Sequence, residues 1–240
     1  MRFFITILTL GFSLFFVSSL SAISLKDNIA KAKPGDYIVT ARNKNYTLLL
    51  VTANTSNRLY FEEITVPLAK IPKNMQSWKE WIRNNAPGHT GWVRYEINLA
   101  TGQMGGLYSY TQESWYEMAG ADAWLSTLLN LSFSPIPEKE RKKVGTSAMV
   151  WNPKMIFEGQ EIAEVPFDAW RTKWPKDNTE LSGKLIEIYL PKDSQTYPAY
   201  FPYWLQISGM IGKASLRIVD SGKGLLSPKM ESQNQQATKN

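Results

Sequence analysis

The sequence predicts an α+β protein, built mainly from one antiparallel β-sheet of about eight to ten strands, curved or closed into a half-barrel. Short segments rich in β-branched and aromatic residues alternate with turn clusters of Asn, Gly and Ser. Residues 113–131 instead repeat apolar residues at helical spacing, which predicts one long amphipathic helix packed on the sheet. No internal repeat or linker divides the chain, so we predict a single domain over residues 23–228.

Residues 1–22 have the composition of a cleaved signal peptide. Arg2 supplies a positive charge, residues 3–17 are almost wholly apolar, and residues 18–22 offer small side chains for signal peptidase. The apolar run is shorter than the roughly 20 residues that a spanning helix needs. The chain has no cysteine, which excludes disulfides and favours a bacterial over a eukaryotic exported protein. We therefore predict the periplasm or outer envelope of a Gram-negative bacterium.

Residues 24–85 contain two helix-capping boxes and a meander of strands. Ser24 and Asp27 begin a short helix that reaches about residue 33, and Ser77 and Glu80 begin a second that ends near residues 84–85. Between them, residues 36–40, 46–52 and 58–66 read as strands separated by Asn-rich turns. Glu62 and its neighbour Glu63 must point to opposite faces, so we predict solvated rim residues rather than an acid–base pair.

A hairpin follows, with strands over residues 92–99 and 104–111 and a turn at 100–103. Gly105 and Gly106 within its return strand indicate a bulge, or a large side chain lying over the backbone. The predicted helix 113–131 comes next, and then a charged surface segment, residues 138–143. We predict a solvated helix end for this segment, and contact of its basic residues with lipid headgroups is the alternative.

The second half of the chain again has strand-like patterns. Residues 167–174 and 184–190 alternate, and residues 203–208 and 213–219 form a hairpin around a turn at 209–212. In that hairpin Leu205 lies on the same face as Tyr203, whereas Trp204 points to a second environment. Residues 229–240 are rich in Gln, Asn and Lys and are predicted to be a disordered tail.

The sequence has no recognisable catalytic motif. His89, in a loop between Gly88 and Thr90, is the single histidine and hence the only candidate for a general base near neutral pH. A lone histidine with no second motif element leaves an envelope hydrolase as an alternative only. A carboxylate pair at Glu161 and Glu164 is a further glycosidase-like alternative.

Metal, cofactor and nucleic-acid sites are not predicted. One histidine and no cysteine leave no ligand set for a transition metal, and the sequence contains neither a calcium loop nor a phosphate-binding loop. The formal net charge of +6 is spread along the chain rather than clustered, which argues against a nucleic-acid partner.

Aromatic residues are abundant, with 9 Trp, 11 Tyr and 10 Phe. They form either an ordinary core or the lining of an apolar ligand site. The candidate ligand-binding residues are Trp92, Tyr108, Tyr110, Trp170 and Trp204.

The exported start, the many antiparallel strands and the packed helix resemble bacterial envelope half-barrel proteins such as lipoprotein carriers. That resemblance is one of architecture, and it implies acyl-chain binding on a concave face without assigning any residue. We therefore predict a non-enzymatic binding or carrier protein for an apolar or lipid-like ligand, with contact to a membrane surface. The alternatives are the His89 hydrolase and an interaction protein that pairs with an undetermined protein partner through its sheet edges.

Overall fold

The computed structural model describes residues 22–117, 121–209 and 213–229. The predicted signal peptide, except for Ala22, and the tail from residue 230 onward lie outside these ranges. The strands are β1 Ile23–Ser24, β2 Tyr37–Arg42, β3 Asn45–Asn54, β4 Arg58–Pro67, β5 Gly91–Asn98, β6 Leu107–Ser109, β7 Ser114–Tyr116, β8 Ser132–Pro135, β9 Met155–Phe157, β10 Gln160–Ile162, β11 Phe167–Lys173, β12 Leu185–Pro191, β13 Trp204–Ser208 and β14 Lys213–Gly222. The α-helices are α1 Leu25–Ile29, α2 Trp78–Arg83 and α3 Ala121–Asn130, and two 3₁₀ turns cover Leu68–Lys70 and Glu138–Glu140.

Twelve of these strands form one sheet, in the order β1-β8-β11-β12-β13-β14-β2-β3-β4-β5-β6-β7, and β9 pairs with β10 separately. Each pairing between these strands is antiparallel, which confirms the predicted sheet class. The hairpin β13–β14 lies in the middle of the twelve-stranded sheet, because β14 pairs with β2 and so joins the two halves of the sheet. The predicted number of strands was too low, since several strands have only two to four residues and show no alternating pattern.

Both faces of the sheet are covered. Neighbouring residues of β2 point to different cores, with Ile38 in one apolar cluster and Val39 in the other. The first cluster contains residues of α1 and α3, and the second is closed by Trp81 and Ile82 of α2. A strand that is buried on both faces reads as a continuous apolar run, which explains the composition of β2 and β3.

The predicted long helix is wrong in its first half. Ser114–Tyr116 is strand β7, paired with β6, and the helix runs only over Ala121–Asn130. Residues 118–120, which the prediction also covered, lie outside the described residues. Trp115 and Tyr116 are aromatic residues that favour strands, and Glu113 has a left-handed backbone with φ of 51°, which ends any helix there. The apolar stripe holds only at its end, where Leu128 and Leu129 are buried.

Both predicted helix starts are confirmed. Ser24 Oγ accepts a hydrogen bond from the Asp27 backbone N–H at 3.0 Å, and Ser77 Oγ accepts one from the Glu80 N–H at 3.1 Å. The first helix is shorter than predicted and ends at Ile29. The second holds Trp81 and Ile82 against the sheet, so its cap contributes to closing the second core.

A Ser77→Ala variant is expected to lose about 1 kcal/mol of unfolding free energy, because it leaves the Glu80 N–H without its side-chain acceptor. Urea denaturation followed by circular dichroism measures this loss. Ser77→Asp is the matched control, since it keeps an acceptor at the helix start and should retain the stability. Equal losses in both variants would show that the cap is not their cause.

Candidate functional site

A groove of ≈ 860 Å³ opens between the connector from β4 to α2 and the loop that precedes β9. This is the size of a small-molecule binding site in proteins. We call it the aromatic groove, and its lining residues are Tyr46, Leu68, Ile71, Pro72, Lys73, Met75, Trp78, Trp151, Asn152, Pro153, Lys154, Ile156, Tyr203, Trp204, Arg217, Ile218 and Val219.

Two aromatic pairs stand in the walls of the aromatic groove. Trp151 and Trp204 meet edge to face with their ring centroids 5.2 Å apart, and Tyr46 and Trp78 meet at 5.4 Å. All four side chains are half-buried, so part of each ring contacts the core and part remains accessible. Such pairs hold their rings in fixed geometry, which gives the groove a preformed apolar surface.

The strand pattern places Trp204 in this wall. Tyr203 immediately before it is 1% exposed and lies in the core, so the side chain of Trp204 points the other way. Trp204 is paired across the sheet with Tyr189 on one side and with Arg217 on the other. Trp204 was predicted to face a second environment; its ring lines the aromatic groove, but it also packs against the first core, which contains Tyr203.

Basic side chains accompany the aromatic walls. Lys73, Lys154 and Arg217 line the groove, and Lys73 and Arg217 are exposed. The ammonium of Lys142, in the charged segment 138–143, lies 4.4 Å from the ring centroid of Trp151. Lys154 is also paired with Glu161 at 3.0 Å, in an exposed contact that contributes little stability. Apolar walls with cationic groups suit a ligand that has an apolar body and an anionic end.

A second cluster surrounds Glu62 on β4. This carboxylate is 0% exposed, which overturns the prediction of a solvated rim residue. It accepts hydrogen bonds from Trp92 Nε1 at 2.8 Å, Ser227 Oγ at 2.6 Å and Tyr110 Oη at 3.4 Å. The prediction was wrong because the second core and the C-terminal segment cover this face of β4. Its neighbour Glu63 is half-buried on the other face.

Burial raises the pKa of both ionisable groups in this cluster, Glu62 and Tyr110. Removal from water raises the pKa of Glu62, while the hydrogen bonds from Ser227 and Trp92 act in the opposite direction. Burial and the charge of Glu62 together raise the pKa of Tyr110 to about 12, so the phenol stays protonated and donates to the carboxylate. The hydrogen bonds of the cluster therefore connect β4 with β5 and the C-terminal segment around a buried carboxylate.

The predicted ligand-binding residues fall in three places. Trp204 lines the aromatic groove, and Trp170 is 8% exposed within the first core. Trp92, Tyr110 and Tyr108 form a row on the face of the sheet that carries Glu62. Their successive ring centroids are 6.3 and 5.2 Å apart. The row begins at the buried Trp92, whose indole N–H donates to Glu62.

Tyr46, Trp78 and Trp151 were not among the ligand-binding residues predicted from the sequence. Their signal is weak, because each stands at the end of an element or in a loop where no alternation indicates a face. The basic residues at 142 and 154 on either side of Trp151 are the one feature of the sequence that marks this region.

His89 lies in the loop between α2 and β5. Its Nδ1 is 2.8 Å from the Ala86 carbonyl oxygen, and its ring packs edge to face on Trp92 at 5.5 Å. Within the described part of the chain, His89 has no carboxylate or hydroxyl hydrogen-bond partner of the kind a catalytic triad needs. The hydrolase alternative remains a prediction that these contacts do not support.

Metal clusters and membrane-spanning helices are both absent from the described residues. Residues 22–117, 121–209 and 213–229 contain no group of three or more His, Asp or Glu side chains placed to hold a metal ion. None of the described helices has both the length and the apolar composition needed to cross a membrane. Glu161, of the alternative carboxylate pair, is ion-paired with Lys154 on the surface.

The fold is similar to that of a bacterial protein of known structure. Residues 47–163, a little under half of the chain, match a protein-family model described as CT021 protein. The solved structure of the hypothetical protein CT021 from Chlamydia trachomatis is similar, with a TM-score of 0.64 and 20% sequence identity over 86% of this chain and 96% of that one. No curated protein matches the chain. The protein therefore shares the fold of a bacterial CT021 protein.

Proposed function

We propose that this is an exported envelope protein that binds or carries an apolar, lipid-like ligand in the aromatic groove, without catalysing a reaction. The observation that carries the proposal is the groove of ≈ 860 Å³ between two aromatic pairs, Tyr46 with Trp78 and Trp151 with Trp204. A volume of this size accommodates a single acyl chain or a compact amphiphile.

Charge supports an anionic end on the ligand. The side chain of Arg217 is exposed directly across the strand pair from Trp204, and Lys73 lies among the lining residues. A carboxylate or phosphate at this end of the groove gains charge-assisted hydrogen bonds, and an apolar chain gains contact with the rings. The same ligand class is met at a bacterial membrane surface, and the composition of residues 1–22 supports a location there.

The charged segment 138–143 supports delivery from a membrane surface. Arg141 lies over the ring of Tyr189 with its Cζ 5.7 Å from the centroid, and Lys142 lies over Trp151. These contacts fix the segment to the wall of the aromatic groove. Contact of the segment with anionic headgroups would therefore bring the groove to the lipid.

Removing Trp204 is expected to weaken ligand binding about tenfold, because the ligand loses contact with one aromatic wall, worth about 1.4 kcal/mol. The probe is 11-(dansylamino)undecanoic acid, whose fluorescence rises when it enters an apolar site. Trp204→Ala and Trp151→Ala should both weaken binding, and thermal denaturation checks that each variant is folded. Trp124→Ala, on α3 outside the groove, is the matched tryptophan control.

The anionic end is tested separately. Arg217→Gln should weaken binding of the acid probe and leave binding of its methyl ester unchanged. Native mass spectrometry of the purified protein should also reveal a co-purifying lipid. The proposal fails if the wild-type protein does not bind the probe, or if Trp204→Ala and Trp151→Ala bind it as tightly as Trp124→Ala does.

A further inference from the structure

A second, smaller cleft of ≈ 230 Å³ lies beside strand β7 at the edge of the sheet. We call it the edge cleft, and its lining residues are Tyr60, Arg94, Tyr95, Glu96, Gly106 and Trp115. Arg94 pairs across the sheet with both Glu62 and Tyr108, so the edge cleft is on the face that carries the Glu62 cluster. It shares no lining residue with the aromatic groove.

Trp115 is the most exposed large apolar side chain of the described residues, at 71%. Its indole rests on the backbone at Gly106, where a Cβ atom would come within 3.3 Å of the indole Cε3. Glycine at this position therefore leaves the space that the ring occupies, as the glycine pair in the sequence predicted. The ring of Tyr108 supports the indole from the side, with centroids 5.3 Å apart.

An indole that is supported from below and from the side, yet mostly exposed, presents a flat apolar surface to solvent. The row of rings continues from Trp115 through Tyr108 to Tyr110, with the last two centroids 5.2 Å apart. A single exposed apolar residue is ordinary, but contiguous exposed apolar surface is a feature of binding sites, and here Tyr116, next to Trp115, is also exposed.

The polar groups of the edge cleft carry both charges. The Arg94 guanidinium carbon lies 5.3 Å from the ring centroid of Tyr60. Glu96 accepts two hydrogen bonds from Arg58 Nη1, at 2.8 and 3.1 Å, and is itself partly exposed. Arg58 neutralises Glu96, and Arg94 lies across the strand pair from the Glu62 carboxylate, so these charges are largely balanced and favour neither an anionic nor a cationic ligand. A neutral ligand with hydroxyl groups fits both kinds of side chain, because a hydroxyl donates to a carboxylate and accepts from a guanidinium.

We propose that the edge cleft binds a neutral saccharide. A pyranose ring has a flat face of C–H groups and a rim of hydroxyls, and these match the rings of Trp115 and Tyr60 and the side chains of Arg94 and Glu96. One sugar unit occupies the cleft against Trp115, and the row toward Tyr108 supports a neighbouring unit. The inference is independent of the proposed lipid site.

The test is isothermal titration calorimetry with three neutral tetrasaccharides, maltotetraose, cellotetraose and tetra-N-acetylchitotetraose. At least one of them should bind the wild-type protein. Trp115→Ala should weaken that binding about tenfold or more, and Trp115→Phe should weaken it less because a ring remains. Gly106→Ala should also weaken it, since the added methyl group displaces the indole.

Met149→Ala is the control, because Met149 is equally exposed, at 69%, but lies outside the edge cleft. The proposal is overturned if none of the three saccharides binds at concentrations up to roughly 10 mM, which corresponds to a very weak site. It is also overturned if Trp115→Ala binds as the wild type does. Self-association that Trp115→Ala abolishes, without saccharide binding, would identify the indole as a protein contact and reject the saccharide.

Discussion

A Trp92→Ala variant is expected to lose about 3–5 kcal/mol of unfolding free energy. Trp92 is the largest fully buried side chain of the described residues, at 0% exposure, and it packs in the second core beside Ile64 and Trp81. Its removal leaves a large cavity and also removes the indole N–H that Glu62 accepts at 2.8 Å. A protein of this size has roughly 5–15 kcal/mol in total, so urea denaturation should show a much lower midpoint.

Two controls separate packing from hydrogen bonding at Trp92. Trp92→Phe keeps most of the apolar contact but leaves the Glu62 carboxylate without its indole donor, and it should cost about 1–3 kcal/mol. Trp115→Ala removes an exposed tryptophan from the same face and should change stability by no more than about 0.5 kcal/mol. A Trp92→Ala variant as stable as Trp115→Ala would show that the second core does not depend on this ring.

Local features of the fold are readable in the sequence. The capping serines Ser24 and Ser77, the strands of the first meander and the hairpin β13–β14 all depend on residues within a few positions of one another. Their signals are therefore contained in short windows of sequence. The antiparallel class of the sheet follows from the same short connections.

The order of the strands is not readable in this way. β14 pairs with β2, although residues such as Ser221 and Ile38 are far apart in the chain. β1 also pairs with β8, which is distant in the chain, through only two residues on each strand. Such pairings depend on the complementarity of whole faces, and a two-residue strand carries no pattern that could indicate its partner.

The Glu62 cluster and the aromatic groove also depend on residues that are far apart in the chain. Glu62 is an acidic residue on a strand, and residue type alone favours exposure. It is buried because Trp92, Tyr110 and Ser227 come to it from three other segments, the last of them 165 positions away. The aromatic groove likewise combines Tyr46 and Trp78 with Trp151 and Trp204, so a search for residues on one face of one strand identifies only Trp204.

The error at Trp115 has a different origin. Leu125, Leu128 and Leu129 do follow a helical period, and the prediction extended it back through Ala121 and Met118 to a helix start at Glu113. The extension ignored the aromatic pair Trp115 and Tyr116, which favours a strand. The corrected assignment matters for function, because strand β7 places the indole of Trp115 over Gly106 at the edge cleft.

A Glu62→Gln variant is expected to flatten the dependence of stability on pH. Burial raises the pKa of Glu62 above its ordinary value of 4.5, so the folded protein keeps this proton to a higher pH than the unfolded chain does. Stability from this group is therefore complete below about pH 4.5 and falls as the pH rises, until the folded carboxyl has also ionised. Burial also raises the pKa of Asp36, Glu63 and Asp220, so the Glu62→Gln substitution should remove only part of the fall.

The glutamine of this variant fits the same site, since its carbonyl can accept from Trp92 and Ser227 while its amide donates to the oxygen of Tyr110. Thermal denaturation from pH 4.5 to pH 8 should show the melting temperature of Glu62→Gln rising relative to the wild type as the pH increases. A difference of about 1 kcal/mol shifts the melting temperature by roughly 2–4 °C, which is readily measured.

Glu161→Gln, at an exposed carboxylate, is the control and should follow the wild-type profile. A Glu62→Gln curve parallel to the wild type would mean that Glu62 stays ionised in the folded protein throughout this range. The Trp92, Tyr110 and Ser227 hydrogen bonds would then outweigh the cost of burying the charge.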